Sequence, residues 1–381
     1  MTSKYINQHK LLDHIYSSSL SDDNITLAEY LVKNGYNAAA FTANTLVNTE
    51  TGILQGFEDI NILEDEEKMT NMVLSWLQSL NSKKSKQKFF LWVHYFDPHA
   101  PYTARMPYFE KYNDSYKGTY GDEISFDEVD KIFLNKTQLS KEDIKHMNAL
   151  YDSQISRIDS YIRKIIDELK RLKIYDQAIL VFFADHGEEL YERNFYIEHY
   201  RSVYDSALRI PLIIRYPGKV PSGKRYKDIT ESIDIMPTVL DLCKITPEET
   251  LSGLSLLPLF RGEKHKEFGV SEWWDLIFTL RTDDWAYIWN PTGRWPTDSR
   301  FEGGEYPVDK EELYNLKADP HEKNNLVNSK GEMAAAFNKK IKEWIKSNIK
   351  KNPESKSIKN FEKPKISKEQ EERLRSLGYI N

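Results

Sequence analysis

Residues 88–102 read KFFLWVHYFDPHAPY. The first nine, Lys88–Phe96, are aromatic or apolar almost throughout and show no alternation of polar and apolar positions. A strand with water on one face alternates. This run does not, so it predicts a strand covered on both faces, as in a parallel sheet layered with helices. The chain then turns abruptly polar at Asp97-Pro98-His99. Open α/β sheets bind ligands beyond the carboxyl ends of their strands, so Asp97, His99 and the nearby His94 mark the first place to look for chemistry.

The neighbouring segments repeat the logic. Downstream, Ser140–Leu172 carries Ile144, Met147, Tyr151, Ile155, Ile158, Ile162, Ile165 and Leu169 at spacings of three and four. That is a long amphipathic helix with Ser140 as its cap. Ala178–Ala184 is a second apolar strand, and it empties into Asp185-His186-Gly187-Glu188-Glu189, with His199 and Asp205 a little further on. Ile210–Arg215 is another strand, entered through Pro211, and Ile233–Leu242 reads as a helix. Upstream, Thr26-Leu-Ala-Glu29 is a capping box that opens a short helix closed by Gly35. Asn37–Thr42 is a short buried strand, and residues 65–80 form a helix. Strands alternating with helices predict an α/β fold with a mostly parallel central sheet.

The texture changes near residue 265. Short Trp- and Tyr-rich runs (GVSEWW, IFTLRTDDWAYIWN, EELYNL) predict a small antiparallel sheet. Residues 330–350 form a Lys-rich helix whose charge reads as a solvated face, and residues 352–364 read as a polar linker. We therefore expect an α/β domain over 1–264 and a C-terminal α+β subdomain over 265–381. The aromatic-rich segment 273–301 reads as subdomain core rather than as a pocket lining.

Composition bounds the function. The chain of 381 residues has a net charge of −6, with basic and acidic residues interspersed. No global attraction to nucleic acid or anionic lipid follows. The single cysteine, Cys243, excludes a disulfide framework and a cysteine zinc site; inside a helix, it reads as a packing residue. The N-terminus shows no signal-peptide hydrophobic region, and the longest apolar runs are too short to span a bilayer. Together with the lone cysteine, that favours the cytoplasm.

An Asp beside a His at a strand end suits a divalent cation. The carboxylate matches Ca²⁺ or Mg²⁺, and the imidazole leans toward Mn²⁺ or Zn²⁺. Gly187 would let the backbone turn sharply beneath the ion. The competing reading is a polar loop in which Asp185 caps a following helix, and spacing alone leaves both open.

The ordered series of motifs resembles the sulfatase family. Phe89–Tyr102 resembles its strand and DPH-x-PY loop. Phe183–Gly218 (FADHGEELYERNFYIEHYRSVYDSALRIPLIIRYPG) resembles its DHGE…H…YD…LR-PLII…PG run. Asp234–Asp241, Gly253–Leu259, Arg281…Ile288, Glu312–Leu316, Asp319…Leu326 and Glu372–Tyr379 continue the likeness in order. The resemblance implies an alkaline-phosphatase-like α/β sandwich with a small C-terminal subdomain. It implies cleavage of sulfate esters, with phosphodiesters or phosphonate monoesters as the alternative. By position, Asp185 and His186 would bind a divalent metal, Ca²⁺ first with Mn²⁺ or Mg²⁺ as alternatives. His99 would contact the transferred group or protonate the leaving oxygen. His199 would hold the anionic group, and His94 reads as a supporting or substrate-side residue. The partner implied is a small anionic ester, a sulfated sugar or an aryl sulfate.

Bland readings attach to the neighbours. Tyr102 and Tyr204 would be walls, Asp97 a turn residue, Asp205 and Arg209 an ion pair, and Glu188 and Glu189 solvated. The family's nucleophile motif, Cys/Ser-x-Pro-x-Arg, does not occur in these 381 residues, nor does its strand ending in Asp-Asp. Met1–His9 (MTSKYINQH) resembles the stretch directly after that motif. The expectation is therefore a chain lacking the nucleophile segment and possessing no nucleophile of its own. Without it the double-displacement route is closed. Three further readings compete: a phosphoryl or phosphonate hydrolase, a non-catalytic remnant, and a zinc hydrolase using His94, His99, Asp185, His186 and His199.

Overall fold

The computed structural model describes residues 1–11, 19–82, 87–112, 116–133, 137–193, 197, 199, 202–273, 277–291 and 311–351. A short helix, α1 (Ile6–His9), precedes α2 (Leu27–Lys33). Thr26 caps α2: its hydroxyl accepts from Glu29 N–H while the Glu29 carboxylate accepts from Thr26 N–H, the reciprocal pair the sequence predicts. Strand β1 (Tyr36–Thr42) follows, then β2 (Asp59–Ile62), α3 (Glu66–Ser82) and β3 (Lys88–His94). A two-stranded ribbon, β4 (Tyr102–Thr103) with β5 (Glu123–Ile124), leads to α4 (Phe126–Phe133) and the long α5 (Lys141–Arg171). Then come β6 (Leu180–Phe183), α6 (Asp205–Leu208), β7 (Leu212–Arg215), α7 (Ile235–Cys243) and α8 (Leu257–Phe260).

β1 lies between β2 and β3, and both pairings are parallel. β6 pairs with β7, and this pairing is antiparallel. Among the described residues between β6 and β7 there is the short α6 and no full crossover helix of the kind a parallel connection requires. Among the described residues, no ladder joins β3 to β6.

The same two layers nevertheless cover both groups of strands. Leu91 and Val93 of β3 and Leu180 of β6 pack with Met69, Val73 and Leu77 of α3 and Leu169 of α5. Phe90 of β3 and Val181 of β6 pack on the other side with Leu27 and Leu31 of α2 and Met236 and Leu240 of α7. The unalternating run Lys88–Phe96 is thus explained by helices on both faces. Around Cys243 the packing is looser than a core: the thiol is half-buried, and burial raises its pKa.

The remainder is a four-stranded antiparallel sheet, β8 (Gly269–Trp273), β9 (Ile277–Arg281), β10 (Trp285–Trp289) and β11 (Glu311–Asn315), in the order β11-β10-β9-β8. Helix α9 (Gly331–Lys351) packs Ala334 and Ile341 against Phe278, Leu280, Tyr287 and Leu313. The segments at 352–364 and Glu372–Tyr379, and much of 273–301, lie outside the described residues.

Candidate active site

His94 is the last residue of β3, and its ring is held from below. Thr42 Oγ1, at the end of β1, lies 3.1 Å from Nδ1, and Trp92 stacks on the ring at 5.5 Å. The polypeptide then enters the Asp97–Pro101 loop. Glu66, the first residue of α3, accepts from the backbone N–H groups of Phe96 (2.8 Å) and Asp97 (2.9 Å). The side chain of Asp97, 4% exposed, accepts two bonds from Arg105 (3.0 and 2.8 Å) and one from Gln154 (3.1 Å). Arg157 pairs with both Glu66 and Asp97. Asp97 is therefore a buried anchor, more than the turn residue expected from Asp-Pro. Glu66, Arg105, Gln154 and Arg157 escape sequence reading because they converge from three separate elements.

This anchored loop presents His99. Its Nδ1 lies 2.7 Å from Ala100 O, and its ring stacks on Phe96 at 4.5 Å. A carbonyl only accepts, so Nδ1 carries the hydrogen and Nε2 keeps its lone pair. Burial, followed by the charge of His199, lowers the His99 pKa to about 3. A neutral imidazole in this tautomer offers a lone pair to the site rather than a proton.

β6 delivers the second half. Asp185 follows it directly and accepts from the N–H of His186 at 3.0 Å. No helix starts directly after Asp185, so the capping reading fails. His186 Nδ1 donates to Gly187 O at 2.8 Å, again leaving Nε2 with its lone pair. Gly187 is required by space rather than by an unusual turn. A Cβ there would meet Ser206 O at 2.1 Å, and its N–H donates to Ala207 O at 2.7 Å. The loop is thereby pressed onto the start of α6.

The two halves meet. Asp185 Oδ2 lies 3.9 Å from His94 Nε2, and Oδ1 lies 3.7 Å from His186 Nε2. The rings of His186 and His199 stack at 3.5 Å with 18° between their planes, and the His99 ring centroid is 5.1 Å from that of His199. All five sequence-predicted site residues therefore converge beyond β3 and β6. Burial alone would raise the Asp185 pKa, but charge on His186, His94 and His199 brings it below the ordinary carboxylate range. The side chain keeps 66% of its surface open, which is where a cation would reach it. Burial lowers His94, and it lowers His199 well below the usual imidazole value.

Two expectations are corrected here. Glu188 and Glu189 are buried, at 9% and 0%, rather than solvated. Burial pushes their carboxyls up to about 8 and about 7, respectively. Glu188 faces His199 Nδ1 at 3.3 Å, while Glu189 accepts from Ser202 Oγ at 2.8 Å. Tyr102 and Tyr204 are fully buried core residues, not walls of the site. The Asp205–Arg209 pair exists at 3.8 Å, but Asp205 also pairs with Arg281 of β9, which spacing did not suggest.

The donor set fits a divalent cation: an open carboxylate at Asp185 beside imidazoles whose Nε2 lone pairs point away from their backbone partners. Fold and site together describe an α/β scaffold with one carboxylate and four imidazoles gathered at its strand ends. A family model described as "Sulfatase" matches residues 1–245, so the chain belongs to the sulfatase family. A choline-sulfatase of Rhizobium meliloti (strain 1021) is 27% identical over 276 residues, 68% of this chain and 50% of that protein. Arylsulfatase K of Homo sapiens is 29% identical over 220 residues, 54% of this chain and 38% of that one. The chain thus spans about half, or less, of the length of these curated relatives. Among solved structures, a complex with its substrate D-glucosamine-2-N,6-O-disulfate superposes with a TM-score of 0.72 at 17% identity, covering 93% of this chain and 88% of that one. A phosphonate monoester hydrolase of Agrobacterium radiobacter gives 0.70 at 16%, covering 91% and 84%. These last two show the alkaline-phosphatase-like fold. Among the described residues, no helix is long and apolar enough to cross a membrane.

Proposed function

We propose that this chain carries the metal-binding and anion-binding side of a sulfuric ester hydrolase acting on a sulfated sugar or an aryl sulfate. The observation that carries the reading is the convergence of Asp185, His186, His94, His99 and His199 at the carboxyl ends of two strands, in a member of the sulfatase family. Asp185 and His186 would hold the cation, which would draw charge from the ester oxygens. His199 and His94 flank the place where the sulfuryl oxygens would sit. His99 is neutral, with its hydrogen on Nδ1; an incoming anion favours its protonated form, after which Nε2–H can donate to the leaving oxygen. No residue of the chain is proposed as nucleophile.

A phosphonate or phosphodiester hydrolase is the second reading, favoured by the imidazole at position 186 and by the phosphonate hydrolase fold match. Calorimetric titration with an aryl sulfate and with an aryl phosphonate monoester separates the two. The sulfate ester is expected to bind at least tenfold more tightly in the presence of a divalent metal. The reverse order would replace the first reading with the second, and no binding of either ester would overturn both.

A further inference from the structure

We infer that His186, Glu188 and His199 together hold a first-row transition-metal ion of the zinc class, a role that neither Glu188 nor His199 has on the family reading. The inference deepens the metal-dependent reading of this centre and rests on it, but not on which ester is cleaved.

Four observations converge. One ligand atom from each of the three residues lies within 4.8 Å of those of the other two, and they form the one such trio of histidine and acidic side chains found among the described residues. The His186 Nδ1 bond to Gly187 O leaves Nε2 as the metal-binding nitrogen, with its orientation fixed by the backbone. The His186 and His199 rings stack at 3.5 Å in nearly parallel planes, and a ring nitrogen of one lies within 4.8 Å of a ring nitrogen of the other. Finally, Glu188 is buried, and among the described residues no Lys or Arg pairs with it. Its contact with His199 is 3.3–3.4 Å, longer than a good charge-assisted hydrogen bond. Tyr102 is its other polar partner, and a metal ion is the cation that would bring this buried group to the carboxylate form a ligand needs.

The donor chemistry selects the ion. Ca²⁺ takes six to eight oxygens, whereas two imidazoles and one carboxylate match the borderline ions, of which Zn²⁺ is the type case. Asp185 Oδ1, 3.7 Å from His186 Nε2 and open to solvent, stands where a further donor or an exchangeable ligand belongs.

The test uses the purified full chain stripped with EDTA and titrated with Co²⁺, Zn²⁺ and Ca²⁺. We expect one equivalent of Co²⁺ to give visible d–d bands, and Zn²⁺ to abolish them. His199→Ala and Glu188→Gln should each raise the dissociation constant for both ions at least tenfold. Ca²⁺ should leave the bands unchanged at a hundredfold excess. A variant that does not fold is replaced by footprinting of the parent: Zn²⁺ should protect His186 and His199 from diethyl pyrocarbonate, read residue by residue by mass spectrometry. Parent-like Co²⁺ affinity in both variants, unprotected histidines, or displacement by Ca²⁺ would overturn the inference. The outcomes separate it from the functional reading. Zn²⁺ held by these residues without any ester binding removes the sulfatase reading and leaves the site. Ester binding supported by Ca²⁺, with His199 unprotected, does the opposite.

Discussion

Arg157 stands between two buried carboxylates, and its charge is what lets the His99 loop exist. It pairs with Glu66 and Asp97, each 4% exposed at the side chain. Removing one partner of such a cluster leaves uncompensated buried charge, so Arg157→Met should cost about 3 kcal/mol, read as a lower Tm. The sign with pH follows from Glu66. Burial, then the nearby Asp97, raises its pKa in the folded state. Its contribution is therefore present below the ordinary carboxylate pKa and is lost as pH rises through the raised value. The deficit of Arg157→Met should shrink on acidification; a deficit that grows instead would refute the assignment. Gly187→Ala should be equally damaging for a steric reason, since its Cβ would lie 2.1 Å from Ser206 O. At this scale the placement of His94, His99, Asp185 and His186 beyond strand ends was legible, because they sit inside or just after readable strands. Glu66, Arg157 and the burial of Glu188 were not, because the local sequence does not say which distant element will cover a charged residue.

Among elements, α5 was the most legible. Its apolar positions repeat with the helical period, and Ser140 Oγ accepts from Asp143 N–H at 3.1 Å while Asp143 accepts from Ser140 N–H. Ser140→Ala should therefore cost about 1 kcal/mol. The pairing of β6 with β7 was less legible, since an apolar run predicts a strand but not the direction of its neighbour. That pair also leaves apolar surface uncovered: Phe182 is 42% exposed, Phe183 38%, and Ile213, opposite Phe182 in the register, 61%. Phe182 and Ile213 lie side by side on one face of the pair, and an exposed apolar patch of this kind binds hydrophobic dyes and favours self-association. Ile213→Thr should change stability by no more than about 0.5 kcal/mol while lowering ANS fluorescence and any concentration-dependent association. A large loss of stability would show that Ile213 is packed.

Across the whole molecule, the antiparallel sheet grips the segment that follows the Asp185–Glu189 loop. Thr279 of β9 donates to Val203 O at 3.0 Å, and Tyr204 donates to the buried Glu312 of β11 at 3.0 Å. Asp205 N–H donates to Glu322 at 2.7 Å. The shift to Trp- and Tyr-rich texture near residue 265 announced this second sheet, but not that it would brace the site loop through carboxylates. Glu322 carries a pH signature. Burial pushes it up to about 8, against the pull of Arg281 and Arg193. Its stabilising contribution is complete below the ordinary carboxylate pKa and is lost as pH climbs through about 8. Thermal melts should show the Tm of Glu322→Gln falling less steeply than that of the parent over that window, and parallel curves would contradict the assignment. The whole account turns on the centre where β3 and β6 end. Its most direct test is calorimetric titration of the chain with an aryl sulfate, before and after EDTA, alongside Asp185→Asn. Binding that needs the metal and weakens at least tenfold in the variant is the predicted result. Binding indifferent to both EDTA and Asp185 would contradict the account.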